Sequence, residues 1–449
     1  MGGSPACSWA VAHGLGRWVA RGSGVGIDNK QNSLTLMTYA LNDALTLAAA
    51  IATIAFGMAL NRAVPALERV HIPPAVTGGL VVAVLLTVAA SFFGLRVTFA
   101  ADLRALLLLV FFASLGLSAR FGLLRTGGPA VFWICLVIVL VIVVQNLLGI
   151  AVAKSYGLDP RLGLFLGSIP YLGGHGTTAA WAQAAEAQAM PEAFEVGIAS
   201  ATLGLIAGGL VGGPAASLLA ARARGRGAPQ PLGAAGAASA VVPQTPETID
   251  AEATLQARIE QPEANDRWVL SLLVLAACLV AGHVLGVVAT NVGFPLPGFL
   301  TALLAAVVIT NVADASGRPV DLPRADLIGT IALRIFLAMS MLSLDLSTIA
   351  KYAAPLGTAL VAQVVATAAI AMLLVNTVLR GGHEGAVGSG GFIGFGLGAM
   401  PVGIATMKRI VQKVGPAPRA FIVVTLATAL FQDTANAILV RLFFWWLGH

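Results

Sequence analysis

The sequence predicts an all-α polytopic membrane protein made of two inverted five-helix repeats, each carrying a re-entrant hairpin. Three observations carry that reading. Of 449 residues, 58% are hydrophobic and only 10% charged, where a soluble domain has roughly 25% charged. Ten apolar runs of spanning character are interrupted by two stretches rich in Gly and Pro, residues 163–183 and 388–407. Similar features recur between the two halves at a near-constant offset of 225 residues. The net charge of +6 reflects scarce acids and basic residues that mark topology. No basic stripe with interleaved aromatics, such as nucleic-acid binding uses, is present. Cys7, Cys135 and Cys278 are far apart, with no CxxC or metal-type spacing.

In chain order, residues 1–36 carry Arg17, Arg21 and Lys30 among many glycines. They read as a flexible extension, because no long apolar core follows a basic start as a signal peptide requires. A spanning helix needs about 20 apolar residues. The first repeat, residues 37–221, offers 40–60, 74–94, 105–119, 129–153 and 196–221, with the hairpin 163–183 before the last. Residues 222–267 are rich in Ala, Gly, Pro, Gln and acids, the composition of a solvated linker. The second repeat, residues 268–449, offers 268–292, 296–312, 327–344, 353–379 and 420–447, with the hairpin 388–407 before the last.

The repeat is visible in detail. Ala113-Ser114-Leu115-Gly116-Leu117-Ser118 falls on Ala338-Met339-Ser340-Met341-Leu342-Ser343, and Leu172-Gly173-Gly174 on Leu397-Gly398-Ala399. Five spans per repeat is an odd number, so the second repeat inserts upside down. With the linker cytoplasmic, Arg62, Arg69, Arg120, Arg222, Arg224, Arg380, Lys408 and Arg409 lie inside, and Arg96, Arg104, Lys154 and Arg161 outside. Both termini are then periplasmic, and the hairpins enter from opposite faces to meet near the midplane.

The hairpins are the candidate binding elements. Non-helical backbone survives at membrane depth only when buried in protein or lining a cavity. Gly173, Gly174, His175, Gly176 and Thr177 form the expected first tip. Gly396, Gly398, Ala399, Met400 and Pro401 form the second. Glycine-rich backbone N–H groups followed by a helix start make an anion site. Close helix packing is the competing reading of such glycines, and the preferred one for Gly163 and Gly167. His175 either hydrogen-bonds a carboxylate or pins the hairpin. Asp433, midway along the last apolar run, is an intramembrane carboxylate and thus a functional candidate. Asn436 lies three positions on and points the same way. Oxygen clusters of this kind suit a hard cation such as sodium; a network pinning helices together is the alternative. Gln145, Asn146 and Gln363 are further polar breaks in apolar runs, lining the same cavity or joining helices. Arg334 either snorkels to the cytoplasmic face or pairs with substrate charge, and His283 reads as an interior histidine. No Walker motif is present, and His383-Glu384 lacks the second His of HExxH. No enzyme chemistry is therefore expected.

Several segments together resemble the bacterial sodium/glutamate symporters (the glutamate:Na+ symporter family). They are Ile72-Pro73-Pro74-Ala75-Val76-Thr77-Gly78-Gly79-Leu80, Gln145-Asn146, Gly173-Gly174-His175-Gly176-Thr177, Gly208-Gly209-Leu210-Val211-Gly212-Gly213-Pro214, Gly394-Phe395-Gly396-Leu397-Gly398-Ala399, and Asp433 with Asn436. The resemblance runs from about residue 37 to 447. It implies a homodimer in the bacterial inner membrane. It also implies an elevator-type secondary transporter, in which a core domain holding both hairpins carries the substrate past a static scaffold. It implies sodium-coupled import of L-glutamate, with sodium the coupling ion and no other cofactor. The tips would hold the substrate, and Gln145, Asn146, Asp433 and Asn436 the sodium. Pro170-Tyr171-Leu172, Met400-Pro401-Val402, Thr406 and Gln432 depart from the family pattern. A symporter for a different small carboxylate is therefore one alternative. A cation/proton antiporter titrating Asp433 is another, and a hydrolase using His175 and Thr177 or a non-transporting sensor are more distant ones.

Overall fold

The computed structural model describes residues 37–64, 67, 72–93, 95–99, 102–122, 128–186, 190–224, 262–317, 320–342, 344, 346–398 and 400–448. The expected N-terminal extension, most of the expected linker and Ala399 lie outside those residues. The described chain is helical almost throughout. In order come α1 (Asp43–Ala63), α2 (Pro74–Phe93), α3 (Asp102–Ser118) and α4 (Gly128–Ser155). A broken segment follows: a 3-10 turn (Leu162–Leu166), a short helix (Ser168–Tyr171) and α5 (Gly174–Glu186). Then come α6 (Ala193–Arg224), α7 (Pro262–Asn291), α8 (Gly298–Ala315), α9 (Leu322–Met341) and α10 (Ala353–Ile370). The chain closes with α11 (Gly382–Leu397), α12 (Met400–Val414), α13 (Pro418–Ala427) and α14 (Asp433–Leu447).

Among the described residues, seven helices are long and apolar enough to cross a membrane: Asp43–Ala63, Gly128–Ser155, Ala193–Arg222, Asp266–Asn291, Gly298–Ala315, Ala353–Val378 and Pro418–Leu447. The other three expected spans are helices too, with differences. The apolar parts of α2 and α3 are shorter, Pro74–Ala89 and Leu103–Ser118. Helix α9 has the length but carries Arg324, Asp326 and Arg334. The last expected span is continuous but passes through a π-helical turn, Thr428–Gln432, between α13 and α14. A second π turn, Ala371–Val375, extends α10. The all-helical expectation misses one feature, a two-stranded parallel sheet of β1 (Met37–Ala40) on β2 (Leu95–Thr98). Four-residue strands leave too little periodicity to read from sequence.

The helices pack in two groups. In one, α3 packs on α8 and α9, α1 on α2 and α9, and α7 on α8. Its own core includes Ala113, Leu117, Cys278, Ala306 and Ala325. At one end Arg120 pairs with Asp314 at 3.2 Å, and Asn311 Nδ2 donates to Ala119 O at 2.8 Å. In the other group α4, α6 and α10 enclose both interrupted segments, with α11 and α12 lying on α6. Its core includes Ile138, Ile142, Tyr171, Phe392, Phe395 and Val424. A third cluster joins the groups, where Trp181 of α5 meets Phe299 of α8 edge-on at 5.1 Å. Val269, Leu273, Val280 and Val287 of α7 are exposed, an apolar face suited to lipid.

Candidate functional site: two facing hairpin tips

The first expected hairpin is not one bent helix but three short pieces. Everything from Leu162 to Leu172 is buried. The turn falls at Gly173-Gly174, with Gly174 at φ +67°, a left-handed conformation that glycine adopts without a Cβ clash. Helix α5 starts there, so Gly176 and Thr177 lie in its first turn rather than at a loop apex. The first N–H groups of a helix have no intrahelical acceptor. They carry the positive end of the dipole. Thr178 Oγ1 donates to Gly174 O at 2.7 Å. His175 is buried, and its Nε2 lies 3.0 Å from Thr202 Oγ1. Thr202 Oγ1 donates to Ile198 O at 2.9 Å, so His175 Nε2 is the donor. The ring pins α5 onto α6.

The second hairpin is α11, a turn at Gly398, and α12. Met400 and Pro401 open α12 and are exposed. Proline suits a first helical turn, where its missing N–H is not needed. Its companion tip lies close by: a Cβ on Gly174 would stand 3.5 Å from Gly398 O. Both tips rest on α6 at Gly204. A Cβ there would lie 2.3 Å from Leu397 O and 2.6 Å from Tyr171 Cδ1. Gly212 plays the same part further along, where a Cβ would lie 2.6 Å from Gly390 O.

The polar breaks in the long helices all reach the hairpins. Gln145 and Asn146 are adjacent in α4 and therefore face different neighbours. Gln145 Nε2 donates to Gly396 O at 2.8 Å and Thr367 Oγ1 at 3.0 Å, so it holds the second hairpin. Gln363 Nε2 of α10 donates to Leu166 O at 2.9 Å and to Gln145 O at 2.8 Å, so it holds the first. Each glutamine keeps a buried Oε1 without a hydrogen-bond partner among the described residues. Asn146 Oδ1 accepts from Ser168 N at 3.0 Å, with Ser168 Oγ at 2.9 Å. Ser168 Oγ is also 2.7 Å from Asn436 Oδ1, and Asn436 Nδ2 donates to Ser168 O at 3.2 Å. One hydroxyl has one proton and cannot donate to both amide oxygens. The backbone contacts fix both amides, so three oxygens face one another with more lone pairs than protons.

Asp433 follows the π turn and is half-buried; among the described residues it makes no hydrogen bond or ion pair. It shares no hydrogen-bond partner with Asn436 among the described residues. Gln432, just before it, donates from Nε2 to Leu172 O at 3.0 Å and so holds the first turn. The structure thus brings Gln145, Asn146 and Asn436 onto the hairpins, and Asp433 forms no hydrogen bond to that set among the described residues. Sequence reasoning missed Ser168, Thr202, Thr367 and Gly204. Only Gly204 carried a signal, as one more small residue near the Gly208–Gly213 run.

Comparison with known proteins identifies the family. A profile of the sodium/glutamate symporter family matches residues 39–416. The sodium/glutamate symporter of Escherichia coli (strain K12) is 35% identical over 413 residues, 90% of this chain and 98% of the relative. The Shigella flexneri protein of that name matches to the same extent. That of Haemophilus influenzae is 32% identical over 411 residues, 91% of this chain and 98% of the relative. With matches spanning both hairpins and nearly every helix, the chain belongs to the sodium/glutamate symporter family.

Proposed function

We propose that this protein is a sodium-driven symporter that imports L-glutamate across the bacterial inner membrane. The observation that carries the reading is the meeting of the two hairpin tips at Gly174, Gly398 and Gly204. At that meeting two helix starts, α5 and α12, offer N–H groups to a carboxylate. The oxygens of Asn146, Ser168 and Asn436 are the core of a sodium site, with Gln145 and Asp433 beside it. No covalent chemistry occurs, so the protein is not an enzyme and sodium is its only coupling ion. The crossed grip, α4 on the second hairpin and α10 on the first, supports two inverted repeats. The group holding both hairpins is the moving body of an elevator, and the group of α1, α2, α3, α7, α8 and α9 its scaffold. The protein works as a homodimer with both termini periplasmic.

Coupling demands that sodium and glutamate raise each other's affinity by the same factor. Thermal unfolding in detergent tests this. L-glutamate is expected to raise Tm in sodium chloride and to leave it unchanged in choline chloride. Stabilisation by glutamate without sodium contradicts the symport reading. Stabilisation by another small carboxylate alone moves the solute while keeping the class. Flux that depends on a pH gradient and needs no organic solute supports the antiporter instead.

A further inference from the structure

A further cleft lies outward of the first tip, at the seam between the two helix groups. Arg104 of α3 and Ser340 of α9 line it from one group, and Gln183 of α5 with Phe194 and Glu195 of α6 from the other. It is a shallow cleft open to solvent on one side. Gln183 is nine residues along α5 from Gly174, about 13 Å at 1.5 Å per residue. Ala179, five residues from Gly174 and so about 7.5 Å along the helix, lines the cleft too, so it runs from beside the first tip outward to Gln183. Arg104 makes no hydrogen bond or ion pair among the described residues, and its Nε is shut off from solvent. A buried donor on a charged group is costly to leave unpaired. A carboxylate answers a guanidinium fork with two parallel hydrogen bonds.

We propose that this cleft is a capture site for the solute, where Arg104 takes a carboxylate of an amino-acid zwitterion before it passes to the tips. The site rests on the symporter reading and adds a station to it. Its four lining elements all reach it by the ends assigned to the outside, so it faces the periplasm. Because α3 and α9 belong to the scaffold group and α5 and α6 to the moving group, translation of the latter takes the cleft apart. Capture is thus confined to the outward-facing state.

The test is the concentration dependence of sodium-driven L-glutamate uptake in proteoliposomes. Arg104→Gln is expected to raise the external KM about tenfold or more while kcat changes far less, with Arg104→Lys in between. An unchanged KM for Arg104→Gln overturns the site. Wild-type protein that takes up no glutamate removes the symporter reading and the capture site with it, so the two failures are distinguishable. If Arg104→Gln does not reach the membrane, Gln183→Cys serves, with labelling of the unsubstituted protein as baseline. L-glutamate with sodium is expected to slow its reaction with an impermeant thiol reagent several-fold, and an unprotected thiol refutes the proposal.

Discussion

At the scale of single residues, the site is held by amides rather than charges. Gln363 supplies one side-chain donor to the first hairpin's entering arm and one to the neighbouring α4 carbonyl. Gln363→Leu leaves Leu166 O buried and unpaired, at a cost of about 1–3 kcal/mol. The expected result is a lower Tm in detergent together with reduced uptake, and Gln363→Glu is not expected to rescue either. Asp433 has no partner among the described residues, so its carboxylate is available to a cation. Asp433→Asn is expected to raise the sodium concentration for half-maximal uptake about tenfold, equivalent to about 1.4 kcal/mol. An unchanged sodium dependence removes Asp433 from the site. The amides and Asp433 were legible in the sequence because polar side chains stand out in apolar runs. Ser168, Thr202 and Thr367 were not, because hydroxyl residues are common in spanning helices, where they back-bond to the helix. Their function-bearing partners lie on distant segments, which no local pattern reports. Gln432 stood out only as a departure from the family pattern, and its contact with Leu172 O gives it a structural reason.

At the scale of elements, the hairpins depend on how closely α6 lets them approach. Gly204 carries the backbone of the second hairpin and the Tyr171 ring of the first, so Gly204→Val overlaps Leu397 O and Tyr171 together. Overpacking of this kind costs about 1–3 kcal/mol. Uptake is expected to fall more than Tm, because the tips are displaced while the helices remain. The first hairpin is entered through Asp159 and Arg161, paired at 2.6 Å in the turn after α4. The Arg161 hydrogen bonds hold the Asp159 carboxyl below its usual range. A depressed carboxyl stabilises the fold above its ordinary pKa, and that contribution is lost as pH falls through the folded value. Asp159→Asn is therefore expected to lower Tm at neutral pH and to change it little in acid, flattening the acid limb of a Tm-against-pH curve. The sequence located both hairpins because Gly and Pro punctuate helices. It misjudged their internal form: the apex was expected at Gly173–Thr177, yet Gly176 and Thr177 are already helical. The start of α5 follows from the left-handed Gly174, and glycine identity alone does not reveal which of three neighbouring glycines adopts that angle.

At the scale of the whole molecule, ten apolar runs became helices because hydropathy is a sum over many residues and tolerates local exceptions. The grouping of those helices was not readable from composition. It follows from contacts between distant segments, such as α3 on α9 and α11 on α6. The elevator reading predicts that only the seam between groups rearranges during transport. Cysteine pairs within one group are expected to leave uptake intact when cross-linked, and pairs across the seam to stop it. The inverted topology predicts that tags at both termini of cells are reached by reagents that do not cross the inner membrane.

The most direct measurement is uptake of labelled L-glutamate into proteoliposomes holding the purified protein, with and without an inward sodium gradient. The account predicts accumulation above the external concentration that depends on the gradient and collapses when a sodium ionophore is added. Uptake of equal size with no sodium present, or none under any gradient, contradicts it.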